Sequence, residues 1–179
     1  MYPNITVEVD CDISRAIHQR FQRNHYDICL VMEPEGESAP LEAVDQRVDQ
    51  LVWVLSEPAL AEADVVPLVT YPQGCIYRAM METALEEAGV PYRIAYASPS
   101  LLGIISAVQQ GLGVTALAAS VVPSHLDSRT ATDTLPALGA VSVGLYYRQE
   151  ELNVATQQVL DVLRKGLANL GPVAALDGR

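Results

Sequence analysis

The sequence predicts an α/β protein built on parallel sheets. Two observations carry this expectation. Short apolar strand patterns alternate with helical patterns twice along the chain, first from Ile5 to Met32 and again from Val65 to Leu117, and glycine, proline or serine marks the later junctions. Half of the 179 residues are hydrophobic, enough to form a core without disulfides or a structural metal, whether in one large domain or in two small lobes.

Taken in order, Ile5, Val7 and Val9 alternate with Thr6 and Glu8, the period of a half-buried strand. Asp10 or Asp12 then caps a short helix in which Ile13, Ile17 and Phe21 share a face, ending near Asn24. Tyr26 to Met32 is nearly continuous apolar, as a strand covered on both faces should be. Glu33 to Pro40 is acidic and rich in turn formers, hence a loop. Val48 to Leu55 and Val65 to Tyr71 read as strands. Pro72-Gln73-Gly74 breaks the chain before a helix from about Cys75 to Ala88, with Ile76, Met80, Ala84 and Ala88 on one face and Gly89 as its stop. Tyr92 to Ala97 is a strand. Ser98-Pro99-Ser100 opens a helix through Gln110, Gly111 ends it, and Gly113 to Leu117 is the next strand. A loop at Ser124 to Pro136 and a strand at Ala140 to Arg148 follow. The last helix carries Leu152, Ala155, Val159, Leu163 and Leu167 at helical spacing. No internal repeat is evident.

Charge excludes one class of partner. Eleven Lys and Arg against 22 Asp and Glu give a net charge of -11, whereas a nucleic-acid surface needs clustered cations to neutralise phosphates. The chain itself is therefore expected not to bind DNA or RNA. Its longest apolar runs fall far short of the roughly 20 residues of a membrane span, and no secretory leader opens it, so a cytoplasmic location is expected. Cys11, Cys29 and Cys75 form no CxxC and have no histidine at ligand spacing, which fits a reducing compartment and gives no metal site.

Catalytic signatures are missing. There is no GxSxG elbow, no phosphate-binding P-loop and no GxGxxG after a strand, so no catalytic residues and no cofactor are expected. His18, His25 and His125 read as surface or loop residues. Glu33, Glu35 and Glu37 read as a solvated loop rather than a cation site.

Two breaks at the C-terminal ends of strands are more informative, because ligands of parallel α/β sheets collect where helix N-termini present unpaired N–H groups. These are Pro72-Gln73-Gly74-Cys75 and Ser98-Pro99-Ser100, and either can hold a carboxylate or another small polar group. A purely structural role stays equally open: Ser98 or Ser100 capping a helix, Gly74 permitting a turn. Cys75, at a helix start with Arg78 one turn on, also admits two readings, a thiol of lowered pKa or a small buried residue.

Four stretches taken together resemble a known family. Tyr2-Pro3-Asn4-Ile5-Thr6-Val7-Glu8-Val9, Tyr26-Asp27-Ile28-Cys29-Leu30-Val31, Pro91-Tyr92-Arg93-Ile94-Ala95-Tyr96-Ala97-Ser98 and Ile104 to Thr115, whose apolar helix runs into Gly-Leu-Gly-Val, are similar to the effector-binding domain of LysR-type transcriptional regulators. The Gly74 to Arg78 turn belongs to the same series. The resemblance implies a periplasmic-binding-protein-like fold (type 2): two Rossmann-like lobes joined by crossover strands at Val48 to Ser56 and Ala140 to Arg148, with a small effector in the cleft between them. Lobe I would be residues 1–55 and 149–179, lobe II residues 56–148. The resemblance further implies ligand contacts at Met32, Glu33, Pro72, Gln73, Gly74, Cys75, Ser98, Pro99 and Ser100. It implies a homo-oligomer, and contact with DNA only through a winged helix-turn-helix that this sequence does not contain.

The sequence also departs from the family's pattern. The resemblance begins at the family's second lobe I strand, so the first strand and helix of that lobe are expected to be missing, which puts half of the cleft and the usual dimer surface in doubt. Met32 stands where relatives often place a threonine, which implies a less polar effector or weaker anion binding. Cys75 sits in a turn like that of the peroxide-sensing member, but the resolving cysteine falls near Leu85, so no disulfide switch is expected. Two other readings share the lobes: a transporter's solute-binding protein, which predicts a leader peptide, and an enzyme using the cleft, which predicts an acid-base constellation.

Overall fold

The computed structural model describes residues 5–36, 43–148 and 152–169. Outside these lie Tyr2 to Asn4 of the first resembling stretch, Glu37 to Pro40 of the expected acidic loop, and residues 149–151 and 170–179 of the expected lobe I. The chain divides into two compact units, one drawing on residues up to Arg47 and from Ser142 onward, the other formed by Val48–Val141.

In the first unit, helix α1 (Ser14–Gln22) leads into strand β1 (Ile28–Pro34). The helix ends as expected, with Asn24 at φ 62° and the His25 amide donating to the Arg20 carbonyl at 3.1 Å. Its start differs. Ile13, not an aspartate, occupies the cap position, and the Asp12 carboxylate accepts the adjacent Ile13 amide at 2.8 Å and pairs with Arg20 at 3.0 Å instead of capping the helix. The expected strand at Ile5 to Val9 is not formed, because residues 5–13 make no strand pairing. β1 lies beside β7 (Ala140–Tyr147), and β7 lies beside β2 (Asp45–Leu55). On one face Cys29, Val31 and Tyr146 pack with Ile17 and Phe21 of α1. On the other, Leu145 packs with Leu160 and Leu167 of helix α4 (Val154–Asn169). Asp45 fixes α4 further, receiving Arg164 Nε at 2.6 Å. His18 corrects a sequence expectation: α1 turns it inward against the Tyr146 ring, 5.4 Å between centroids, and it is buried. Two residues assigned to the acidic loop, Glu33 and Pro34, instead finish β1.

In the second unit, β3 (Val66–Thr70), α2 (Ile76–Glu87) and β4 (Tyr92–Ala97) form a parallel β-α-β with Val66 opposite Tyr92 and Thr70 opposite Ala97. After α3 (Leu101–Gln109), Val114 takes the other side of β3, donating to Pro67 O at 2.9 Å and accepting from Val69 N at 2.8 Å. Gly113 permits this approach, since a Cβ there would stand 2.2 Å from the Pro67 carbonyl oxygen. The next strand, β5 (Thr115–Ala118), departs from the expected all-parallel pattern: it pairs antiparallel with β2, Leu51 opposite Ala118 and Val54 opposite Thr115. The expected loop at Ser124 to Pro136 contains a further short strand, β6 (Asp127–Arg129), antiparallel to the other side of β2. Trp53 is wholly buried on β2 and its indole N–H donates to Pro136 O at 2.7 Å. The buried face of α2 is Tyr77, Met81 and Leu85 rather than the row beginning at Ile76. Both rows obey the same period, and the bulkier one faces inward.

Candidate functional site

Of the nine residues expected to contact a ligand, seven lie in the second unit and come together at one strand end. β3 and β4 are parallel neighbours, so the turns that follow them emerge side by side, and the Ser98 amide donates to the Thr70 carbonyl at 3.0 Å. The first turn runs through Pro72, Gln73 and Gly74, all exposed, and closes with the Cys75 amide donating to Pro72 O at 3.3 Å. Gly74 at φ 94° is the left-handed residue this turn needs. Cys75 then occupies the cap of α2.

The second turn is built on its serines. Ser100 Oγ accepts from the Gly103 amide at 3.3 Å and so caps α3, while Ser98 Oγ accepts from the Ser100 amide at 3.2 Å. The capping role is therefore realised. It uses the serine oxygens as acceptors and leaves their O–H groups able to donate. Pro99 between them is exposed. Gly103 keeps this corner tight, since a Cβ there would meet Ser98 Oγ at 2.8 Å and the Tyr96 hydroxyl at 3.3 Å.

Cys75 differs from the activated-thiol reading. Burial pushes its pKa up, and the opposing backbone N–H groups of Arg78 and Tyr77 do not reverse the direction. Arg78 is engaged elsewhere: its Nε pairs with Glu82 at 2.8 Å and its Nη1 reaches Tyr71 O at 3.5 Å. Beside the thiol, the rings of Tyr71 and Tyr77 meet edge-on with centroids 6.0 Å apart. Burial, with Cys75 adding to it, pushes the Tyr71 hydroxyl up to about 12. Tyr77 is raised further, mainly by burial and then by Tyr71, Cys75 and Asp49, while the Ala118 backbone N–H works the other way.

Three polar residues of this unit carried no sequence signal strong enough to single them out. Thr70 ends the apolar run of β3, is wholly buried, and its Oγ1 has no hydrogen-bond partner. Thr115 Oγ1 is in the same condition on β5. Asp49, 4% exposed on β2, has Oδ1 unpartnered. A lone threonine or aspartate inside a strand pattern reads as a surface interruption until burial is known. Buried polar groups left unsatisfied cost on the order of 1–3 kcal/mol each, so their presence calls for a compensating role.

Met32 and Glu33 lie in the first unit, at the end of β1. The Met32 amide donates to Ser14 Oγ at 2.9 Å, tying the strand to the first turn of α1. Glu33 accepts from the Tyr146 hydroxyl, whose pKa is pushed up to about 12, mainly by burial and then by the charge of Glu33. The Glu33 carboxylate is therefore committed within its own unit.

Comparison with known proteins agrees with this architecture. The family model described as the LysR substrate binding domain matches residues 1–168. The chain is 28% identical over 171 residues to the HTH-type transcriptional regulator DgdR of Burkholderia cepacia, covering 94% of this chain and 57% of that protein. It is 34% identical over 128 residues to the uncharacterized HTH-type transcriptional regulator YusT of Bacillus subtilis (strain 168), covering 69% and 42%. It thus spans about half the length of the curated relatives it matches. Among solved structures, the bromide-bound regulatory domain of HypT from Salmonella typhimurium superposes with a TM-score of 0.72 at 15% identity, covering 94% of this chain and 85% of that one. The regulatory domain of CcmR from Synechocystis PCC6803, in complex with 2-PG, gives 0.58 at 22% identity, covering 94% and 86%. The fold is accordingly that of LysR regulatory domains, periplasmic-binding-protein-like, and no described helix is long and apolar enough to cross a membrane. With a family model matched over 168 of its 179 residues, the chain belongs to the LysR substrate-binding domain family.

Proposed function

We propose that this chain is the effector-binding regulatory domain of a LysR-type transcriptional regulator, sensing a small molecule in a cleft between two lobes and catalysing no reaction of its own. The observation that carries the reading is the pair of turns that emerge side by side at the ends of the parallel strands β3 and β4, tied by the Ser98 amide to the Thr70 carbonyl and each opening a helix, in a chain of this family. Pro72, Gln73, Gly74, Cys75, Ser98, Pro99 and Ser100 contribute one wall of the site; from the other lobe Met32 contributes, and Glu33 only with the acceptor capacity that the Tyr146 hydroxyl leaves free. The lobe division expected near residues 55 and 149 is supported by the two compact units, between which the chain passes at Arg47 and at Ser142. That similar regulatory domains have been solved with 2-PG and with shikimate supports a small polar effector. DNA is reached through a helix-turn-helix carried by the regulator of which this is a part, and the protein works in the cytoplasm as a homo-oligomer. The relatives are regulators, which favours this reading over a transporter's solute-binding protein.

A ligand shifts such a domain only by its differential affinity for two states, typically about 1–3 kcal/mol of coupling. Melting the protein against a panel of metabolites tests the proposal. A true effector at about 100 times its Kd adds about 2.7 kcal/mol, worth roughly 5–10 °C in Tm for a chain of this size. A joint Thr70→Val and Ser98→Ala replacement should abolish that shift. A panel that moves Tm nowhere at millimolar concentration overturns the reading.

A further inference from the structure

Asp49 is the only buried acid among the described residues, and its Oδ1 has no hydrogen-bond partner there. A carboxylate is almost never buried without a counter-charge, because leaving water is costly for an ion. Strand order places it. β2 runs antiparallel to β5, with Leu51 opposite Ala118 and Val54 opposite Thr115. The residues leading into β5 run parallel to β3, with Leu68 beside Val114. Moving along β2 from Val54 back to Asp49 is therefore moving toward the C-terminal end of β3, where the turns after β3 and β4 emerge. One strand separates β2 from β3, so Asp49 stands about 10 Å to the side of the first turn, two strand spacings. Tyr77, in the first turn of α2, marks the same place. The Ala118 amide donates to its hydroxyl, whose pKa is raised by burial first and then by Tyr71, Cys75 and Asp49, so the acid and the thiol at the helix cap lie around one hydroxyl.

We propose that the effector is a free amino acid whose α-ammonium group pairs with Asp49 and whose carboxylate meets the donors of the two turns, an inference that rests on the sensing function proposed above. An ammonium group brings the missing charge together with three donors. A metal ion would need further ligands, and no group of three His, Cys, Asp or Glu side chains stands together among the described residues. Arg78, the cation in the first turn of α2, is already paired with Glu82 at 2.8 Å. None of the seven turn residues is charged, and Ser98 and Ser100 keep O–H groups that can donate to an anion. A dianion would set a second negative group against Asp49 in a chain of net charge -11, whereas a zwitterion offers each end its complement. The backbones to be bridged are two to three strand spacings apart, about 10–14 Å, and the reach of two side chains reduces this to the span of an amino acid.

Melting the 179-residue chain with each of the common amino acids at millimolar concentration, and with the 2-hydroxy acid that matches each, tests the proposal. An amino acid should raise Tm while its 2-hydroxy counterpart, which carries a hydroxyl in place of the ammonium, leaves it unchanged. Asp49→Asn should weaken calorimetric binding of that amino acid roughly 100-fold or more, as expected for breaking a buried charge pair. The same variant, free of ligand, should melt roughly 2–4 °C above the parent, because it removes a buried charge that has no partner. If only molecules without an amine shift Tm, or if Asp49→Asn binds the amino acid as tightly as the parent does, the amine assignment falls while sensing by this domain stands. A ligand-free Asp49→Asn variant that melts below the parent overturns the assignment too, since its carboxylate would already be satisfied. No shift with any compound overturns the assignment and the sensing function together.

Discussion

The two units open on the same sequence idea and realise it differently. In both, an apolar ribbon precedes a helix and a second apolar ribbon follows it. In the second unit the ribbons become β3 and β4, paired in parallel from Val66 opposite Tyr92 to Thr70 opposite Ala97, with α2 between them. In the first, residues 5–9 remain unpaired although Ile5, Val7 and Val9 alternate as well as any strand in the chain, and only the second ribbon becomes β1. The difference shows that alternation specifies a surface, two faces of opposite polarity, while a strand exists only when a neighbour stands within one hydrogen-bonded spacing. β3 has such neighbours on both sides and is buried at every position, whereas Val9, on the unpaired ribbon, is 80% exposed.

Replacements in the paired region should give the largest effects. Trp53→Ala removes a wholly buried indole from β2 together with its bond to Pro136, and should cost about 4 kcal/mol in denaturant unfolding. Gly113→Ala drives a methyl group into the Pro67 carbonyl, and should cost about 3 kcal/mol and loosen Val114 from β3, visible as faster exchange of the Val69 and Val114 amides. The helix starts sharpen the comparison. α3 has a serine cap and α1 has none, so Ser100→Ala should lose about 1 kcal/mol while Ile13→Asp, at a cap position already extended at φ -62° and ψ 142°, should gain about as much. An Ile13→Asp variant no more stable than the parent would show that tertiary packing alone sets the start of α1.

The last effect is one of pH, seen only at the alkaline limit, and both units share it. Tyr71 and Tyr146 each have a folded pKa near 12, above the ordinary 10, so the folded state holds their protons more tightly than the unfolded one. Their stabilisation is complete below pH 10 and is lost as pH rises from about 10 through about 12. Tyr71→Phe and Tyr146→Phe should each flatten the alkaline limb of a stability–pH curve. An unchanged limb would mean that these hydroxyls are as accessible as free tyrosine.

Much of this was legible in the residues. Gly74, Gly89 and Gly111 marked turns because left-handed backbone strongly favours glycine, and the ordered stretches ending in Gly-Leu-Gly-Val carried the family. The seven turn residues were singled out because helix starts after parallel strands are natural ligand positions, a rule that needs only element order, and the parallel pairing of β3 and β4 brings their two turns side by side. What escaped was whatever depends on which of two equivalent faces turns inward. Tyr77, Met81 and Leu85 won over Ile76, Met80 and Ala84, and His18 went in beside Tyr146, because the covering layer decides and it is distant in sequence. The same cause hid Thr70 and Asp49, whose buried, unpartnered oxygens are visible only once their neighbours are in place. Cys75 left two readings open in the sequence, and burial decides between them: a helix start lowers a thiol pKa, but desolvation outweighs it here.

The route of the backbone through β2 and β7 has a consequence for taking the protein apart. Because the chain leaves the first unit at Arg47 and returns at Ser142, the second is a contiguous passenger nested within a split host. Excising Val48–Val141 yields a single uninterrupted polypeptide, whereas the host must be spliced. Gln46 already donates to Ser142 across that seam, so the splice requires only a tight hairpin. Such a pair of halves would let either be titrated, mutated or evolved without the other.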